Sequence, residues 1–173
     1  GLADREAERP MRIDSLFRLS SVSKPYVSVA AMVLVHQGKL ALDAPVTTWI
    51  PDFRPSAPDG TMPDIAIRQL LSHTAGLGYG FLEPADGPYH RAGVSDGMDA
   101  SDLTLDENVR RIGMAPLLFK PGMSWGYSLA TDVLGAVIER ATRLPLDKAV
   151  RSLVTEPLGL AHTGFTLTNA DRL

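Results

Sequence analysis

The chain has 173 residues, 45% hydrophobic and 21% charged, with a net charge of -3 and no cysteine. That is enough chain for one buried core, and it excludes a basic nucleic-acid-binding field, disulfides, thiolate catalysis and Cys-ligated zinc. No stretch is long and apolar enough to span a bilayer and no signal peptide is visible; the chain starts at Gly1 without an initiator Met, so the compartment stays open with only a slight lean to the cytoplasm.

In chain order, residues 15–19 read as a short strand or an extended lead-in to Ser21-Val22-Ser23-Lys24-Pro25. Pro25 lacks an N–H and is tolerated only in a first helical turn, so a helix begins near Ser21 or Val22. Residues three apart share a helix face, which aims Ser21 and Lys24 at one pocket, and the helix N-terminus favours a developing negative charge. The competing reading makes Ser20, Ser21 and Ser23 ordinary N-caps. Val27, Ala30, Ala31, Val33, Leu34 and Val35 then suggest a buried helix that Gly38 stops.

Residues 45–53 predict a short helical turn, 55–63 a proline-rich loop, and 64–74 a helix capped near Asp64. A Gly-rich loop covers 76–102, followed by a capped helix over 106–115. The Pro121-Gly122 turn leads to Trp125-Gly126-Tyr127-Ser128-Leu129, and residues 127–142 and 145–154 read as two further helices. Tyr127, held just after a tight turn, can shuttle a proton to a serine oxygen, or it is an ordinary half-buried tyrosine.

Two decoys compete with Ser21. Residues 93–97 (GVSDG) fit the Gly-x-Ser-x-Gly elbow, but neither the strand before Ser95 nor the helix after it is present in the pattern. His162-Thr163-Gly164 imitates a Lys-Thr-Gly motif yet reads as a loop after a helix. His36, His73, His90 and His162 show no metal-ligand spacing, so no metal or cofactor is expected.

Residues 17–24 (FRLSSVSK), 67–77 (IRQLLSHTAGL), the Pro121-Gly122 turn before Tyr127-Ser128, and 156–160 (EPLGL) resemble successive blocks of the class C β-lactamases and penicillin-binding-protein-like hydrolases. Within that group the chain is most similar to the family VIII carboxylesterases. The resemblance implies an α/β (α+β) fold of the β-lactamase/transpeptidase type. It also implies Ser21 as the acylated nucleophile, Lys24 as its activating partner and Tyr127 as the proton shuttle. A lysine with a reference pKa of ~10.4 is protonated at neutral pH. Lys24 therefore acts either as a strongly depressed base or as a cation that lowers the pKa of Tyr127, and both readings stand at this point.

Leu129 stands where β-lactamases usually carry Asn, which favours short-chain esters over β-lactam amides. Trp125 and Tyr79 are candidates for an apolar substrate pocket. Residues 1–173 cover less than half of a usual family member, mainly the nucleophile helix and helical lobe. N-terminal strands and most of the antiparallel sheet are expected from flanking segments or a second chain, and the isolated chain is expected to be a poor, marginally folded catalyst. β-Lactamase or D-amino-acid peptidase activity, and a non-catalytic binding domain, are the alternatives to an esterase.

Overall fold

The computed structural model describes residues 1–99 and 101–166. The chain opens with an antiparallel hairpin of β1 (Leu2–Asp4) and β2 (Arg9–Pro10). The sequence reading missed this hairpin and placed its first possible strand at residues 15–19, which are an extended lead-in without a ladder partner. A 3₁₀ turn, Ser20–Val22, then runs into α1 (Ser23–His36), with Pro25 in the first turn as its missing N–H requires.

On α1 the buried residues Val27, Ala30, Ala31 and Leu34 fall on one face at three- and four-residue spacing. The helix ends in a Schellman cap. Gly38 adopts φ +69° and donates to Val35 O at 3.0 Å, while Lys39 N–H donates to Leu34 O at 2.9 Å.

α2 covers Ile67–Leu71, three residues later than the Asp64 cap anticipated from sequence. The reason is competition for backbone groups. Val46 N–H donates to Ile65 O and Ile67 N–H to Ala44 O across an antiparallel bridge, so residues 64–66 are extended. Gln69 Oε1 accepts the Ala66 N–H at 2.9 Å, and Asp64 instead receives the Thr47 hydroxyl at 3.4 Å.

The Gly-rich stretch contains a short helix, α3 (Pro88–Arg91), whose Tyr89 is buried. Helix α4 (Leu105–Ile112) is capped by Thr104, whose Oγ1 accepts the Glu107 N–H at 3.2 Å. α5 (Ala130–Thr142) is the central helix, burying Val133, Leu134, Val137 and Ile138 against α1, α2, α4 and α6. α6 (Leu146–Val150) continues into a wider π-type turn, Arg151–Thr155. Gly135 lets α6 approach closely, because a Cβ there would meet Leu146 Cδ2 at 2.9 Å.

α5 begins at Ala130, not at Tyr127 as its apolar pattern suggests. The preceding donors are already committed to another segment: Gly126 N–H to His73 O at 2.9 Å and Leu129 N–H to Gly78 O at 3.1 Å. Gly76 makes this junction possible. It adopts φ +84°, and a Cβ would lie 2.1 Å from Phe119 O, so no other residue fits without moving the backbone.

Candidate active site

Ser20 adopts φ +47° between the extended lead-in and the 3₁₀ turn, an unfavourable conformation for a non-glycine residue. The reversal leaves Ser21 exposed at the mouth of α1. Lys24, one turn on, donates from Nζ to Ser21 Oγ at 3.2 Å and to the Tyr79 hydroxyl at 3.0 Å. From the other side the Tyr127 hydroxyl donates to Ser21 Oγ at 2.6 Å. The three residues singled out for chemistry therefore meet around one serine oxygen.

The tyrosine rings stack, with centroids 5.4 Å apart, and Lys24 Nζ lies 4.9 Å from the Tyr127 centroid and 5.5 Å from that of Tyr79. Such placement holds a cation by the π faces as well as by the hydroxyls. Tyr79 is itself fixed by its neighbour. Gly78 N–H donates to the buried Tyr89 hydroxyl at 2.8 Å and Gly78 O accepts from Leu129.

Electrostatics separates the two tyrosines. Burial pulls the Lys24 pKa down, but the Tyr127 and Tyr79 hydroxyls outweigh it and hold the ammonium above its ordinary value. Burial pushes Tyr127 up, and the interactions with Lys24 and Ser21 overcome that to leave it below the ordinary phenol value. Tyr79 goes the other way, raised by burial that Lys24 offsets only in part. Of the two routes left open by sequence, these directions favour a charged Lys24 acting on Tyr127. The two phenols are thus pushed apart, Tyr127 toward greater acidity by Lys24 and Ser21 and Tyr79 toward lesser acidity by burial.

Ser21, Lys24, Tyr79 and Tyr127 line a groove of about 380 Å³. Leu129 does not face it. Its side chain is 1% exposed in the core and its backbone N–H serves Gly78, which corrects its assignment to substrate. Trp125 is also outside the groove, 64% exposed and edge-on to the His73 ring at 6.4 Å. The apolar wall expected from those residues is built instead by Phe81, Met98, Leu105, Leu146 and Phe165.

Sequence reasoning passed over Asp132, in the first turn of α5. It lines the groove, and burial raises its carboxyl while Lys24 opposes that rise. An acid set among the buried residues Ala130, Thr131, Val133 and Leu134 at the start of α5 was the available signal.

Ser95 has another occupation. Its hydroxyl donates to Asp99 Oδ1 at 2.5 Å and accepts the Gly97 N–H at 3.3 Å, while its backbone is clamped by the Asn108 amide. His162 lines a second cavity of about 410 Å³ with residues of α6 and the following turn. Among the described residues, no group of His, Asp and Glu is arranged to hold a metal, and no helix is long and apolar enough to cross a membrane.

The chain is 58% identical over 172 residues to "Esterase EstB" of Burkholderia gladioli, covering 99% of this chain and 44% of that protein. The solved structure of "EstCE1, a hydrolase with promiscuous acyltransferase activity" superposes with a TM-score of 0.97 at 53% identity, covering all of this chain and 45% of that one. A penicillin-binding protein from Bacillus halodurans shares the fold, with a TM-score of 0.74 at 24% identity over 97% of this chain and 48% of that one. The chain thus spans a little under half the length of these relatives. With the Beta-lactamase family model matching residues 1–173, the chain belongs to the Beta-lactamase family.

Proposed function

We propose that this chain carries the nucleophile of a serine hydrolase that cleaves short-chain carboxylic esters through an acyl-enzyme on Ser21. The observation that carries the reading is the continuous contact from Tyr127 through Ser21 Oγ to Lys24 and Tyr79. As a phenolate, Tyr127 takes the Ser21 proton while Oγ attacks the ester carbon. The tetrahedral intermediate collapses, its alkoxide leaving group takes that proton from Tyr127, and the acyl group stays on Oγ. Water then repeats the sequence: it gives a proton to Tyr127, attacks the acyl carbon, and Ser21 recovers the proton as the acid departs. Lys24 stays an ammonium throughout and stabilises the phenolate.

An ester rather than a β-lactam or peptide carboxylate is supported by the charges of the groove. Among the described residues lining it are two carboxylates, Asp96 and Asp132, and one amine, Lys24, already engaged by Ser21 and Tyr79. Among those described residues no second cation is left to face a substrate carboxylate, and the apolar wall suits a small acyl or alcohol group. The names of the esterase relatives support the same class. Segments supplied by flanking sequence or a second chain would close the other side of the groove.

A fluorophosphonate probe, with the labelled peptide identified by mass, should mark Ser21 in the full-length enzyme. In the same preparation p-nitrophenyl butyrate should have a far higher kcat/KM than nitrocefin, and Ser21→Ala should lower ester turnover at least about a thousandfold. Label on another serine would overturn the nucleophile; comparable constants on nitrocefin would overturn the substrate class.

A further inference from the structure

Helices α1 and α2 end in the same hydrogen-bonded cap, but only α1 uses glycine. After α2, His73 N–H donates to Leu70 O at 3.3 Å and Thr74 N–H to Gln69 O at 2.9 Å, the pair of bonds that Gly38 and Lys39 make after α1. His73 thus occupies the left-handed position at φ +55°, where glycine is favoured and a side chain is strained.

What the side chain and its carbonyl touch is one stretch of chain. His73 O accepts the Gly126 N–H at 2.9 Å; the ring lies 5.0 Å from the Tyr127 ring, centroid to centroid, and 6.4 Å from Trp125; and Nδ1 is 3.2 Å from Ser128 Oγ. Ser128 is buried, and its Oγ also accepts the Ala130 N–H at 3.4 Å, so its proton is free to point at Nδ1. Tyr127 precedes α5 and has no helical turn around it to hold its angle.

We propose that His73 is a positioning residue for Tyr127: its left-handed backbone aims the carbonyl and the imidazole at residues 126 and 128, clamping the phenol between them at 2.6 Å from Ser21 Oγ. The proposal rests on the acyl-transfer reading above. A neutral imidazole suits this role, since it can accept from Ser128, and both burial and the Lys24 charge lower the His73 pKa. The strain at residue 73 is then held because it fixes a proton-transfer distance, for which a displacement of about 1 Å can cost a hundredfold in rate.

The cap supplies a discriminating test. His73→Gly removes the side chain at a position that glycine prefers, so the helix end is not penalised. His73→Asn tolerates the left-handed conformation and places a polar atom on Cγ, where Nδ1 sits. In the full-length enzyme with p-nitrophenyl butyrate, His73→Gly and Ser128→Ala should each lower kcat about ten- to a hundredfold with KM nearly unchanged. Their double variant should lose no more than either alone, and His73→Asn should recover most of the rate.

The pH profile adds a readout that simple destabilisation does not move. Lys24, Tyr79, Asp132 and His73 are the titratable groups facing Tyr127, and loosening Tyr127 from Lys24 should move the Tyr127 limb upward in His73→Gly. Wild-type kcat and limb in a folded His73→Gly, Asn no better than Gly, or additive losses in the double variant would each overturn the proposal. If His73→Gly does not fold, Ser128→Ala, with its own kcat and pH limb, decides alone. Ser21→Ala, run in parallel, separates the two ideas: ester turnover surviving it sinks the nucleophile assignment, whereas its loss beside an unaffected His73→Gly sinks only the clamp.

Discussion

Ser21 and Ser95 both sit in sequence patterns associated with serine nucleophiles, and the fold treats them in opposite ways. Ser21 stands on an exposed reversal, its oxygen met by a lysine three residues away and a tyrosine 106 residues away. Ser95 spends its hydroxyl within its own turn, on Asp99 and Gly97, with Asn108 bracing the backbone. A nucleophile needs a base that can take its proton and a path to a substrate. Among the described residues, no lysine, tyrosine or histidine is bonded to the Ser95 oxygen, and its carboxylate partner Asp99 lies four residues on in the same loop. The difference lies in the tertiary partners, which a five-residue motif does not encode.

The comparison breaks most sharply at the residues that activate Ser21. Lys24→Ala and Tyr127→Phe should each reduce ester kcat by about a hundred- to ten-thousandfold, the range of a lost acid–base group. The double variant should lose about as much as either single one, because the ammonium acts through the phenol. Rates of all three on p-nitrophenyl butyrate test this; additive losses would mean that lysine and tyrosine act on Ser21 separately.

A smaller effect is expected from Tyr79, and it appears in the pH profile. In the proposed mechanism the reactive form has Tyr127 deprotonated and Lys24 protonated. Activity therefore rises as pH passes a Tyr127 pKa below the ordinary phenol value and falls as pH passes a Lys24 pKa above the ordinary amine value. Tyr79→Phe removes one of the hydroxyls that raise Lys24 but leaves the burial that lowers it. The alkaline limb should shift downward, with the rate at its maximum changed only a few-fold. An upward shift would show that Tyr79 destabilises the ammonium.

How much of this was legible in the sequence depends on how local each contact is. Ser21 and Lys24 are one turn apart, and Pro25 fixes where that turn lies, so their juxtaposition follows from spacing alone. Tyr127 joins them across the fold; its place after the Pro121-Gly122 turn made it one candidate among ordinary tyrosines, and the family resemblance tied it to Ser21. Tyr79 was read as a pocket aromatic, yet its hydroxyl rests on Lys24, a contact that depends on Gly78 being pinned by Tyr89 and Leu129. Leu129 was assigned to substrate from the position where β-lactamases usually carry Asn, and Trp125 from its place beside Tyr127; neither argument could see the backbone pairing of this segment. Backbone bonds to His73 and Gly78 keep that segment out of the helix, and they turn Leu129 from a substrate contact into part of the core. The Ala66 bridge shifted the start of α2 by the same kind of competition.

The smallest effect belongs to Ser95, and it sharpens the contrast because it should appear in stability and not in catalysis. Ser95→Ala deletes the hydroxyl that donates to Asp99 and accepts from Gly97, while the Asn108 clamp acts on the backbone and survives the substitution. Solvent reaches this part of the loop, so both groups left behind can bond to water, and the cost should be no more than about 1 kcal/mol. Ester kcat/KM should stay within about twofold of wild type while thermal or urea unfolding shifts slightly downward. The groove wall nearby is formed by Asp96, Gly97 and Met98, so a modest change in KM for larger acyl groups is the most that a loosened turn should transmit. Loss of turnover in a normally folded Ser95→Ala, with Ser21→Ala retaining activity, would exchange the roles of the two serines.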